Sequence, residues 1–216
     1  MKFSRLALFC ALLLLAGSDT LCGAYTGRDF FHDLINPGRR QGLTGRFDLA
    51  GGLVHTKAEH PSWSKDYTSD DGGAGVVFGV GFGITDQFIL SGTIRGLVYG
   101  EYAPLGVITG PLVLLFADEH MIASVNLSFY VNRHTPSLFF EAGVGGGMIG
   151  NPFDEGVINE DSEEGPGLIA GIGYEFNKHM QVEVHLLWSQ NAKEDHASRG
   201  QWTVTTVMVT FGVLGY

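Results

Sequence analysis

The chain has 216 residues, and 13 Lys and Arg against 23 Asp and Glu give it a formal charge of −10. That acidic balance excludes an electrostatic footprint for nucleic acid, and the length suits a single domain behind a leader. Both cysteines, Cys10 and Cys22, lie near the N-terminus, so the rest of the chain offers neither a disulfide nor a cysteine-ligated metal.

The first element is the leader. Lys2 and Arg5 precede an apolar run from Leu6 to Leu15, and small and polar residues follow. About ten apolar residues are too few to cross a bilayer as a helix. Residues 1–24 are therefore read as a signal peptide, cut after Ala24 in Cys22-Gly23-Ala24. Lipoprotein processing at Cys22 is the alternative, and Leu21 and Asp19 suit it poorly. Residues 25–41 form a polar periplasmic lead-in with Pro37-Gly38, Arg39-Arg40 and one expected helical turn over Phe30 to Leu34.

From residue 42 onward, apolar residues recur at every second position, the period of a strand with two unlike faces. Strands are predicted over 42–54, 73–85, 88–101, 120–132, 137–149, 165–177, 180–191 and 202–214. The clearest sets Val76, Phe78, Val80, Phe82 and Ile84 against Gly75, Val77, Gly79, Gly81 and Gly83. Short links at 85–87, 132–136 and 177–179 alternate with long ones at 55–72, 102–119, 150–165 and 192–201. Short turns at one end and long loops at the other are the asymmetry of an outer-membrane barrel. No stretch approaches the roughly 18 apolar residues a membrane helix needs; Pro111 to Ala117 is cut short by Asp118 and Glu119. The expected fold is all-β, an eight-stranded antiparallel up-and-down transmembrane β-barrel over 42–216.

Parity decides between a membrane barrel and a soluble, lipocalin-like one. One face collects Arg46, Asp48, Ser91, Thr93, Arg95, Asn126, Ser128, Tyr130, Glu141, Glu175, Glu183 and His185. The other collects Phe47, Leu49, Leu53, Leu90, Ile94, Val98, Val125, Leu127, Phe129, Leu138, Phe140, Val144, Leu168, Ile172 and Phe176. Burying the charges while wetting the apolar set would be unstable in water and is favourable in a bilayer.

An eight-stranded bore is just wide enough for side chains to fill. Arg46, Asp48, Arg95, Glu141, Glu175 and Glu183 are therefore expected to form an interior charge network, with Arg95 meeting Glu141 or Glu183. A narrow ion path is the alternative use of the same residues. Glu183, His185 and Ser189 share an inner face, but steps of about 6.6 Å along one strand are too long for a proton relay. Asp154, Glu155, Glu160, Asp161, Glu163 and Glu164 crowd one loop. A solvated charge run is the plain reading, and contact with lipopolysaccharide through divalent cations is the functional one. His55 and His60 are too few for zinc, and the glycine runs at 79–83 and 143–147 lack the helix a phosphate loop needs. No cofactor is expected. Trp188 and Trp202 are expected as girdle aromatics.

Gly173-Tyr174-Glu175-Phe176 with the hairpin that follows, and Phe139-Phe140-Glu141-Ala142-Gly143-Val144-Gly145, resemble segments of the outer-membrane barrel families related to the OmpA membrane domain and OmpX. The resemblance implies an outer-membrane location, insertion by the barrel-assembly machinery, and contact with outer-membrane lipid and lipopolysaccharide. It implies a role in envelope structure or surface interaction rather than catalysis. A narrow channel and a lipid A-modifying hydrolase are the alternatives. Lipid A deacylase barrels carry His-x-Ser-Asn-Ala on the seventh strand, and Trp188-Ser189-Gln190-Asn191-Ala192 keeps only the final Asn-Ala. Tyr216 is out of phase with Val207, Val209, Phe211 and Val213, so a bulge near Gly212 or Gly215 is expected to turn it outward.

Overall fold

The computed structural model describes residues 40–59, 66–99, 119–150, 163–192 and 201–216. The signal peptide read over 1–24, the lead-in as far as residue 39, the apolar stretch at 111–117, His60, and the acidic residues Asp154 to Asp161 lie outside the described residues.

The strands are β1 (Gly42–Glu59), β2 (Tyr67–Gly83), β3 (Phe88–Tyr99), β4 (Glu119–Tyr130), β5 (Ser137–Gly150), β6 (Glu163–Asn177), β7 (Met180–Ala192) and β8 (Gln201–Gly215). Each pairs antiparallel with the next, and β8 returns to β1, so the sheet is a closed eight-stranded barrel. Closure follows from the pattern, since eight two-faced strands leave no edge unpaired only when the last meets the first.

β1 and β2 run further than their hydrophobic period predicts. The stretch expected as a loop over 55–72 is mostly hairpin, paired from Val54↔Asp71 to Ala58↔Tyr67. Its side chains are polar on both faces, so the apolar alternation fades while the backbone ladder continues. Cross-strand contacts replace it: His55 Nδ1 stands 2.7 Å from Asp70 Oδ1, and Lys57 pairs with Glu59 and Asp66.

The outward positions between these polar ends carry no charged residue on any described strand. Phe47, Leu49, Leu53, Leu127, Phe140, Val144, Leu168, Ile172, Leu186, Val209 and Phe211 are all exposed there. Rings pair across the register, Phe47 with Phe78 and Phe88 with Phe129, each at 5.1 Å. Val98 departs from expectation. It stands at the long-connection end of β3 opposite Ala74 and Glu119, and it is buried rather than exposed.

Inside, the bore is layered. Toward the long connections it is apolar, with Val54, Leu97, Ile122, Ile169, Leu187, Val204 and Met208 in one cluster. Toward the short turns Ile89, Tyr130 and Phe139 form a smaller cluster against Tyr216. The charged residues lie between. Two inner glycines make room for large neighbours: a Cβ on Gly173 would collide with the Phe139 ring, and one on Gly212 with the Asp48 carboxylate.

Candidate functional site

Arg46 and Asp48 stand two residues apart on β1, so the pleat aims both into the bore. The Arg46 guanidinium donates through Nη1 to Glu141 Oε2 at 2.9 Å, through Nη2 to Glu183 Oε2 at 2.6 Å, and through Nε to Asp48 Oδ2. His185 Nε2 lies 3.2 Å from both Arg46 Nη2 and Glu183 Oε2. Arg95 of β3 pairs with Glu141 Oε1 and also donates to the Thr93 hydroxyl. Glu141 is thus gripped by one arginine on each oxygen. Asn126 and Ser124 complete the Arg95 side: Asn126 Nδ2 donates to Thr93 Oγ1 at 2.7 Å, and Ser124 Oγ to Asn126 Oδ1 at 3.0 Å.

Five of the six residues expected as an interior network, Arg46, Asp48, Arg95, Glu141 and Glu183, therefore meet in one belt. Arg95 takes Glu141, not Glu183. Two guanidinium groups face three carboxylates, and Asp48, Arg95, Glu141 and Glu183 are all buried. Charge-assisted contacts of this kind are short and directional, and bidentate arginine adds rigidity.

Glu175 stands apart at the short-turn end. Its partner is Arg40, whose Nε and Nη2 lie 2.8 and 2.7 Å from Glu175 Oε2. Arg40 Nη1 donates to two turn carbonyls, Asp86 O and Asn132 O, each at 2.8 Å, and the guanidinium stacks 4.1 Å from the Tyr130 ring centroid. Sequence reasoning left Arg40 in a polar lead-in. The signal that would have found it is parity, since residue 40 continues the inner series 44, 46, 48 of β1.

The other oxygen of Glu175 accepts from the Tyr216 hydroxyl at 2.8 Å. The bulge expected near Gly212 or Gly215 is absent: β8 stays in register with β1 as far as Gly45↔Gly215, and Tyr216 keeps the inward phase. The register shift lies instead between Glu175 and Asn177, in the β6–β7 pairing. A buried carboxylate at the mouth of the bore needs donors, and an inward Tyr216 supplies one.

A third polar group sits within the apolar half. His120 Nε2 is 2.9 Å from Ser189 Oγ, and His120 Nδ1 is 2.8 Å from Thr206 Oγ1. Ser189 thus meets a histidine from β4, not His185 of its own strand. A Ser–His pair suggests nucleophile and base, but threonine occupies the orienting place of a carboxylate and all three side chains are buried within the wall of the bore. Trp188 keeps the outward parity expected of a girdle aromatic, but Trp202 does not: it stands opposite buried Ala58 on the inward parity of β8 and packs against the interior apolar cluster. Among the described residues no group of three or more His, Cys, Asp or Glu could hold a metal ion.

No protein-family model matches the sequence, and no curated protein matches it. Among solved structures the chain is similar to Ail, the attachment invasion locus protein of Yersinia pestis, at 13% identity, covering 79% of this chain and 99% of that one with a TM-score of 0.41. It is also similar to Neisserial surface protein A, at 11% identity over 79% and 98% of the two chains with a TM-score of 0.43. For OprG of Pseudomonas aeruginosa the values are 11% identity, 83% and 100% coverage, and a TM-score of 0.40.

Proposed function

We propose that this chain is an integral protein of the bacterial outer membrane that acts through its lipid contacts and its outer end, in envelope structure or surface interaction, rather than by catalysis. The observation that carries the reading is the uncharged outward band. Leu43 to Leu53 rise about 33 Å at roughly 3.3 Å per residue, or about 25 Å once tilted as barrel strands are, close to the height of the apolar band on such proteins. Above it, β1 and β2 continue as a polar hairpin to Glu59 and Tyr67.

The layered bore supports a closed barrel. The charged belt, the apolar half and Arg40 with Glu175 follow one another along the axis, which disfavours a wide diffusion pore. A narrow ion path is the second reading, favoured by one guanidinium, Arg46, being shared among three carboxylates. Exchange among those partners is a motion that could pass a small ion. A lipid A hydrolase is disfavoured because Ser189 and His185 are buried on the inner face, away from lipid. The partners that fit are outer-membrane lipid and lipopolysaccharide around the band, and the barrel-assembly machinery during insertion. Conductance across planar bilayers tests the reading: a closed barrel gives no steady current, and a resolved unit conductance favours the channel.

A further inference from the structure

The outward face of the barrel is not evenly padded. Ala142 of β5 and Ala170 of β6 are register partners, and Leu127 and Leu186 stand beside them on β4 and β7. Two residues along the strands in either direction the pairs are large, Phe140 with Ile172 below and Val144 with Leu168 above. The alanine row is therefore a dip. It forms an open groove of about 630 Å³ that runs from Leu90 and Leu127, toward the short turns, to Trp188, toward the long connections. The flanking rows stand about 6.6 Å away, so the dip admits a single hydrocarbon chain. A helix about 10 Å across would ride on its rims.

We propose that this groove holds one acyl chain of an anionic phospholipid of the periplasmic leaflet, with the lipid phosphate at Arg133; the site rests on the outer-membrane reading above. The charges at the two ends of the groove select the lipid. At the short-turn end the β4–β5 link carries Arg133 and His134, both exposed, and no acidic residue from 131 to 136. Arg133 makes no ion pair among the described residues. The only carboxylate on the three short turns, Asp86, lies on the β2–β3 link, where it is half-buried. At the other end Glu164 is exposed on β6, on the same outward face as Leu168 and Ala170. A phosphate entering from the long connections meets that carboxylate, which disfavours lipopolysaccharide. One entering from the short turns meets a guanidinium, which binds phosphate through two N–H groups at once. The reach agrees with this. Arg133 lies six residues beyond Leu127, about 20 Å along a strand or about 15 Å once tilted. That is the depth of one leaflet of a roughly 30 Å hydrocarbon core.

The test uses the full chain with Trp63→Phe and Trp202→Phe, which leaves Trp188 as its sole tryptophan. It is folded into phosphatidylcholine vesicles, and Trp188 fluorescence is read as lipid with brominated acyl chains is added, either phosphatidylglycerol or phosphatidylcholine. Half-quenching is expected at about fivefold less brominated phosphatidylglycerol, the factor one basic residue represents at an anionic headgroup. Arg133→Gln should bring the two curves together. So should Ala142→Leu with Ala170→Leu, which fills the dip and leaves Arg133 in place. Equal curves in the parent chain overturn the proposal, as does a preference that survives either variant. Quenching that lipopolysaccharide reverses more strongly than unlabelled phosphatidylglycerol puts an outer-leaflet lipid in the groove. Quenching that falls as protein density rises puts a second barrel there, and each of these results overturns the proposal. A chain that does not enter vesicles overturns the outer-membrane reading as well, whereas an inserted chain with equal curves overturns this site alone.

Discussion

Arg46 and Glu141 meet at 2.9 Å although they belong to β1 and β5, strands on opposite sides of an eight-stranded barrel. The contact ties the two walls together through the bore, and Arg95 from β3 holds the second oxygen of the same carboxylate. The belt is therefore a cross-brace in which loss of either arginine leaves buried carboxylates uncompensated.

Arg95→Leu should show this. It strips one partner from Glu141 in a fully buried setting, where breaking a pair typically costs about 3–5 kcal/mol. Lys57→Ala, at an exposed pair on the polar hairpin, should leave the unfolding midpoint unchanged. Urea titrations of the two variants in lipid vesicles compare them directly. Equal midpoints would contradict a braced bore.

Tyr216→Phe keeps the aromatic ring and removes only the donor to Glu175 Oε1. A hydrogen bond to a charged group is worth about 1.5–3 kcal/mol, so the midpoint should fall by an amount of that order while insertion proceeds. A Tyr216 side chain turned to lipid would lose nothing on this change.

Gly212→Ala should destabilise the barrel, because the added methyl meets the Asp48 carboxylate. Gly51→Ala places the same methyl on the outer face, with only Gly73 O at 3.9 Å, and should be tolerated. Overpacking of the first kind costs about 1–3 kcal/mol. Thermal scans of folded and unfolded gel mobility separate the two.

The eight strands and their faces were legible because a bilayer imposes a strict alternation, and residues such as Phe78, Leu127 and Ile172 display it without interruption. The upper hairpin was not, because His55, Lys57 and Asp70 have no apolar partner to mark the strand. Five members of the belt could be placed on the inner face by parity, but their pairing could not, since which carboxylate reaches Arg95 depends on barrel stagger. Arg40 and Tyr216 were hidden for a related reason. Both lie just beyond a strand end, where only the three-dimensional mouth of the barrel shows that the inward phase continues. The apolar half of the bore was also obscured, because Ile122, Leu187 and Met208 share the inner parity with the charges.

Leu127→Arg should obstruct folding into bilayers sharply, since a midplane arginine on a lipid face costs about 2–4 kcal/mol. Ser128→Arg, one residue on, points into the bore and should impair folding mainly through crowding. Yield of the heat-modifiable folded form in vesicles reports both, and equal losses would contradict the assignment of faces.

The most direct measurement is refolding of the leaderless chain with and without lipid. A barrel whose outward band faces a bilayer folds only with vesicles or detergent, resists SDS until boiled, and partitions with outer membranes. A compact, monodisperse monomer formed in plain buffer would contradict the membrane-spanning account and put a soluble ligand-binding barrel in its place.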